Sequence, residues 1–394
     1  MKRPYAPSTM GGVKVSIVAE SFLPHTNGVT NSVLRTLEHL RATGHEAEVI
    51  APAASQALQR RGRGVPGQYC GFPVRTLPSM SLASYPSVRL AAGPVGVLRR
   101  MFHASAPDVV HLASPFVLGW RALRAAGELG LPTVAVYQTE VPAYARPYRV
   151  PWLEARLWEH VRAIHLAADL TLAPSTFSRS QLQQLGVGRV KLWRRGVDTA
   201  LFTPVRRNEQ LRQRLAPGGQ RIIGYVGRLA AEKQVADLRV LAGLPGTRLV
   251  IVGDGPLRES LQQQQLPGAV FPGFLRGIEL AEMLASLDLF VHPGQSETFC
   301  QTIQEAMASA VPVVAVGRGG PVDLVSSSHN GWLYQPGNLV QLRSQVADLI
   351  YDDAKRAAFA AAALESVQER SWGRIGDQLL GHYVAAAEHA LTGR

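Results

Sequence analysis

Two Rossmann-like α/β domains are what this sequence predicts, on three observations. Its 394 residues exceed what one hydrophobic core usually serves. Short apolar strands alternate with helical stretches in two separate series, the pattern of parallel sheets covered by helices. Between the series, Thr203-Pro204, Arg206-Arg207 and Pro217-Gly218-Gly219 interrupt the apolar periodicity, which places the join between Gly196 and Gly219.

In the first series the expected strands are Val13–Ala19, Ala47–Ala51, Asp108–His111, Thr133–Tyr137, Leu170–Ala173 and Val190–Trp193. Between the first two, Val29, Val33, Leu37 and Leu40 recur at helical spacing and Gly44 supplies the stop. The second series runs Ile222–Val226, Leu249–Val252, Val270–Pro272, Leu289–His292 and Val313–Val316. After Asn338 the chain reads as helical, with Ser371-Trp372-Gly373 a break before a last helix. The boundaries expected are a mobile tail over 1–11, a first domain over 12–200, a linker over 201–219, a second domain over 220–372 and a terminal helix over 373–394.

Composition narrows the class. A hydrophobic fraction of 46% is ordinary for a globular protein, and no apolar run approaches a membrane span. Met1-Lys2-Arg3-Pro4-Tyr5 is basic but no apolar core follows it, and Cys70 and Cys300 make neither a disulfide framework nor a metal-ligand spacing. A cytoplasmic protein is the expectation. The net charge of +12 is unevenly spread: residues 1–205 hold 23 Lys and Arg against 11 Asp and Glu, and the remainder is balanced at 18 against 18. A basic first half suits nucleic acid, anionic lipid headgroups or a phosphorylated substrate, or serves solubility alone. No helix-turn-helix, zinc or RNP-type pattern supports nucleic acid.

The chemistry gathers at strand ends. After Leu289–His292, the run Gly294-Gln295-Ser296-Glu297-Thr298-Phe299-Cys300-Gln301-Thr302-Ile303-Gln304-Glu305 sets two carboxylates eight residues apart, Glu297 in a loop and Glu305 inside the following helix. The amides of Cys300, Gln301 and Thr302 would open that helix as an anion site. An acidic first turn alone would be common, but it does not account for the deeper second acid. After Ile222–Val226, Gly227-Arg228-Leu229-Ala230-Ala231-Glu232-Lys233 offers Arg228 and Lys233 to a diphosphate, although a surface pair near a helix start is equally compatible. Asn27-Gly28-Val29 stands at the carboxyl edge of the first strand, where a glycine lets backbone approach a ligand; a plain turn is the competing reading. Gly253-Asp254-Gly255-Pro256-Leu257-Arg258 is a weak dinucleotide signal, since Arg258 stands where the third glycine belongs. No P-loop and no Asp-x-Asp pair is present, so positive side chains would have to neutralise a diphosphate without a metal.

Together these segments resemble the family 4 retaining glycosyltransferases of the GT-B fold, over nearly the whole chain. The resemblance rests on Glu20-Ser21-Phe22-Leu23-Pro24 with Asn27-Gly28-Val29, on Arg195-Gly196-Val197-Asp198 with Leu201-Phe202-Pro204, and on Gly227-Arg228-Leu229 with Lys233. Gly253-Asp254-Gly255-Pro256, the Glu297-to-Glu305 run and Gly319-Gly320-Pro321 complete it. Within the family the sequence is most similar to bacterial GDP-mannose-dependent α-mannosyltransferases acting on lipids, with sulfoquinovosyl transferases the neighbouring group.

The resemblance implies two Rossmann-like domains facing a central cleft, with the C-terminal helix returning to the first domain. It implies a nucleotide-sugar donor, best read as GDP-mannose, no metal, and a lipid or glycan acceptor. Gly28 would place backbone on the diphosphate, Arg228 and Lys233 would bind it, Glu297 would hold the hexose and Glu305 the ribose. Phe299, Cys300, Gln301 and Thr302 belong to the same donor-side segment, while Gln138, Thr139 and Tyr144 fall on the acceptor side. Two departures stand out. Gln138 occupies a position that is often histidine, and glutamine cannot act as a base; Cys300 and Ala310 replace common glycines without removing a charge, so little loss of donor binding is expected. Arg60-Arg61-Arg63 and the run from Pro142 to Arg149 mix cations, aromatics and breakers as an interfacial loop would, which suggests peripheral contact with the inner face of a membrane. The alternatives are a UDP-sugar-dependent transferase of the same family, such as a sulfoquinovosyl or glucosyl transferase, and a sugar-nucleotide epimerase of the same shape.

Overall fold

The structure, a computed structural model, describes residues 12–60, 62–82, 85–91, 93–144 and 151–392; the expected tail over 1–11 lies outside them. The chain forms two compact units. The first includes Leu153–Arg194 and closes with the last helix from Trp372, and the second contains Arg195–Ser371.

The strands of the first unit are β1 (Lys14–Ala19), β2 (Glu46–Pro52), β3 (Gln68–Tyr69), β4 (Phe72–Leu77), β5 (Ser79–Leu82), β6 (Tyr85–Ala91), β7 (Val109–Ala113), β8 (Thr133–Val136), β9 (Leu170–Ala173) and β10 (Val190–Leu192). Eight of them make one sheet in the order β10-β9-β8-β7-β1-β2-β4-β3, parallel except for β3; β5 and β6 pair separately. Central strands are buried, β7 throughout and β1 from Val15 onward, because helices cover both faces. The helix Gly28–Ala42 follows β1; Asn27 caps it by accepting from Thr30 N, and it buries Val33, Leu37 and Leu40 on the face that the spacing predicts. Strands β3 to β6 are absent from the expected series, as is the last strand of the second unit, Gly331–Tyr334.

The last helix, Trp372–Thr392, packs in the first unit, as the resemblance implies. Trp193 Nε1 donates to Ile375 O at 2.9 Å, the His111 ring lies 2.8 Å from the Tyr383 hydroxyl, and His39 meets Asp377 at 3.1 Å. Ile375, Leu379, Tyr383 and Ala386 thereby join the core beneath the sheet.

The second unit has six parallel strands, β11 (Arg221–Val226), β12 (Thr247–Val252), β13 (Val270–Gly273), β14 (Leu289–His292), β15 (Val313–Val316) and β16 (Gly331–Tyr334), in the order β13-β12-β11-β14-β15-β16. This is the doubly wound Rossmann order, and it reverses direction between β11 and β14. The stretch 201–219, expected as a linker, packs into this unit. Phe202, Leu215 and Ala216 belong to its core, and Arg212 pairs with buried Asp288 at 2.9 Å, because apolar residues are interleaved with the turn residues that suggested a break.

Candidate active site

In a doubly wound sheet, ligands bind beyond the carboxyl ends of the strands where the order reverses. Arg228 and Lys233 follow β11, and Glu297 follows β14, so both motifs stand at the switch point of the second unit. Lys233 Nζ lies 2.6 Å from Glu297 Oε1, and His292 Nε2 lies 3.3 Å from the same oxygen. All three are largely enclosed, His292 most completely at 2% exposed. Burial pushes the Glu297 carboxyl up, but the Lys233 ammonium and the His292 imidazole outweigh it and hold the group at about 2. His292 is the mirror case: burial lowers it, and the adjoining Cys300 and Glu297 raise it to about 10.

The loops bearing these groups are held by backbone packing. A Cβ at Gly253 would fall 1.9 Å from Gly227 O, and one at Gly255 would fall 2.4 Å from Leu229 O. Leu229 N donates to Asp254 O at 3.0 Å across this contact. The glycines of the dinucleotide-like signal therefore serve loop-on-loop packing behind Arg228. Likewise, a Cβ at Gly319 would meet Glu297 O at 2.4 Å, and Gly320 N donates to Glu297 O at 2.7 Å, which fixes the loop carrying that acid. The segment after Leu229 is not the α-helix expected there: Ala231–Lys233 and Val235–Leu241 are 3-10 turns, and Gln234 at φ 50° bends the chain between them.

The helix after Glu297 runs Gln301–Ala308, and Cys300 precedes it at φ 74° and ψ 75°. Cys300 and Ala310 (φ 54°) thus occupy left-handed backbone, which accounts for the glycines expected at both places. Gln301 Nε2 donates to Gly196 O at 2.9 Å and Gln304 Nε2 to Arg195 O at 3.0 Å, so these side chains anchor the helix. The Phe299 side chain is taken up by the core, Thr302 Oγ1 lies 3.7 Å from Cys300 Sγ, and Glu305 is buried within the helix. Glu297, Lys233 and Cys300 are brought together with His292, which the sequence reading left out. The signal available was a histidine closing an otherwise apolar strand, Leu289-Phe290-Val291-His292. His292, Glu297 and Cys300 present ligand atoms within 4.8 Å of one another, the one group of three His, Cys, Asp or Glu side chains among the described residues able to hold a metal ion.

In the first unit the corresponding switch lies between β1 and β7. Glu20, at the end of β1, accepts from Phe116 N at 2.7 Å and Gly119 N at 2.9 Å beyond β7. Gly28 opens its helix with no left-handed backbone, and a Cβ there would meet nothing within 4 Å, so the fold itself does not demand glycine. Gln138 and Thr139 follow β8 and line a small cavity with Ser114, Phe116 and His165; Thr139 Oγ1 accepts from Ser114 Oγ at 3.0 Å. Tyr144 ends a 3-10 turn, but its side chain and residues 145–150 lie outside what is described.

Two doubly wound units, one carrying cations and an acid at its switch point, fit a glycosyltransferase of the GT-B class. Residues 26–201 match the model described as Glycosyltransferase Family 4, and residues 206–366 that of Glycosyl transferases group 1. The chain belongs to the family 4 glycosyltransferases. It is 48% identical over 384 residues to the GDP-mannose-dependent alpha-mannosyltransferase of Mycobacterium tuberculosis, covering 97% of this chain and 99% of that one. To the GDP-mannose-dependent alpha-mannosyltransferase of Corynebacterium glutamicum it is 44% identical, covering 94% and 88%. The sucrose-phosphate synthase of Thermosynechococcus elongatus shares the fold at TM-score 0.78 and 20% identity over 95% of this chain and 98% of that one. HepE of Anabaena in complex with UDP does so at 0.75 and 21%, over 95% and 100%.

Proposed function

We propose that the chain transfers mannose from GDP-mannose, with retention of configuration and without a metal cofactor, to a hydroxyl of a lipid-type acceptor. The constellation of Lys233, His292 and Glu297 at the switch point carries this reading, because it joins a cation suited to a diphosphate with a carboxylate suited to sugar hydroxyls. Arg228, Lys233 and the amides of Cys300, Gln301 and Thr302 neutralise the diphosphate, Glu297 holds the hexose and Glu305 the ribose. Stabilising the departing nucleoside diphosphate is the main electrostatic task, and removal of one such donor costs on the order of 10²–10³ in turnover. The acceptor hydroxyl attacks from the face the leaving group departs, and the leaving phosphate takes its proton. Gln138 orients the acceptor and transfers no proton.

Nearly full-length identity to proteins named for GDP-mannose supports the donor. The acceptor reading is supported by a 28% identical relative of Mycobacterium tuberculosis named GDP-mannose-dependent alpha-(1-6)-phosphatidylinositol dimannoside mannosyltransferase. Among the described residues no helix is long and apolar enough to cross a membrane, so contact with a lipid acceptor falls to the basic surface of the first unit. Incubation with GDP-mannose, a lipid extract and a chelator tests the reading. An α-mannosylated lipid formed under chelation is expected; sugar transfer from UDP-glucose alone, or loss of turnover with chelator, contradicts it.

A further inference from the structure

Cys300 is held at φ 74°, where an L side chain costs about 1 kcal/mol relative to glycine. Its Sγ nevertheless lies with a carboxylate oxygen of Glu297 and an imidazole nitrogen of His292, all within 4.8 Å of one another. His292 is 2% exposed; its Nε2 faces Glu297 Oε1 at 3.3 Å, and its Nδ1 has no hydrogen-bond partner, so the ring keeps a buried nitrogen that the fold does not satisfy. Thiolate, imidazole and carboxylate are together the donor set of a zinc-type ion, and three protein ligands leave a fourth position open. Bond lengths of about 2.0–2.3 Å place ligand atoms roughly 3.3–3.7 Å apart, so a pair at the 4.8 Å bound would close by roughly 1 Å on binding.

We propose that His292, Glu297 and Cys300 form a binding site for a soft divalent cation of the Zn²⁺ class, which excludes the nucleotide-sugar donor rather than assisting transfer. Exclusion follows from Glu297 Oε1, which also accepts from Lys233 Nζ at 2.6 Å. An ion bound there draws Glu297 from Lys233 and places a divalent charge beside that ammonium. Binding releases the thiol proton and the His292 imidazolium proton to solvent and changes no oxidation state. The competition, though not the metal site itself, rests on the donor reading above.

Cobalt reports the site directly, because a thiolate bound to Co²⁺ gives a ligand-to-metal charge-transfer band. Titrating the full chain with Co²⁺ is expected to give that band at one equivalent, with loss on adding Zn²⁺. Cys300→Ser should abolish it and Cys70→Ser should leave it. Lys233→Met, which frees the shared oxygen, should shift half-saturation to lower Co²⁺, and GDP-mannose should shift it higher in the wild type. Absence of the band, or its survival in Cys300→Ser, overturns the site. A titration unmoved by GDP-mannose overturns the exclusion when calorimetry shows the donor binding the metal-free protein, whereas failure of that calorimetry removes the donor reading and leaves the site to the band.

Discussion

Glu20 joins two strand ends with one side chain. Its carboxylate accepts from Phe116 N and Gly119 N, at the start of the helix Leu118–Leu129, so it satisfies orphan donors there. Burial pushes its carboxyl above 4.5, and the backbone donors pull the other way. A carboxyl whose folded pKa is raised adds stability only below its unfolded value, and that stability is lost as pH rises through the folded value. Glu20→Gln keeps an acceptor oxygen and removes the charge. The variant should melt at or above the wild type at pH 7, with the difference shrinking as pH falls through the raised folded value and closed below 4.5. Thermal melts across that range check this, and a variant that loses stability at pH 7 contradicts it. Single residues were unevenly legible: Glu297 and Lys233 declared themselves by position after strands. His292 did not, because only packing distinguishes a strand-closing histidine aimed at an acid from one that faces solvent.

At the scale of elements, the loops at strand ends divide into those shaped by the fold and those left open by it. Gly253 is crowded to 1.9 Å by Gly227 O, whereas Gly28 has nothing within 4 Å. Gly253→Ala should therefore lower Tm by several degrees, since displacing backbone costs about 1–3 kcal/mol. Gly28→Ala should leave Tm in place and raise KM for the donor, as a methyl group obstructs an anion approaching the helix N-terminus. Melting curves and steady-state kinetics on both variants separate the two roles; a Tm loss at Gly28 would return it to the structural class. Elements with continuous apolar runs, such as Val313–Val316, were legible because burial on both faces needs only apolar residues. Strand β4 was not: it alternates buried Phe72 and Val74 with exposed Pro73 and Arg75 at a sheet margin, and β16 is four residues long. The 3-10 turns after Leu229 escaped because the left-handed Gln234 that separates them leaves no signal in residue type.

For the whole molecule the unequal charge is the feature with the longest reach. With 23 Lys and Arg against 11 Asp and Glu in residues 1–205, the proposed acceptor-side half carries the positive field. Each Lys or Arg near an anionic surface contributes about 1 kcal/mol, within a screening length of about 10 Å at 0.1 M salt. Sedimentation with vesicles should show binding to anionic lipid that falls steeply between low and moderate salt, and little binding to neutral lipid; equal binding to both contradicts an electrostatic membrane contact.

The account turns on a diphosphate donor held by the second unit. Calorimetric titration of GDP-mannose and UDP-glucose into the chelated full chain, and into Lys233→Ala, tests it most directly. Saturable binding of GDP-mannose, weaker or absent binding of UDP-glucose, and a marked loss of affinity in Lys233→Ala are the results predicted. Equal affinity of the wild type and Lys233→Ala for GDP-mannose would contradict the site, and preference for UDP-glucose would contradict the donor.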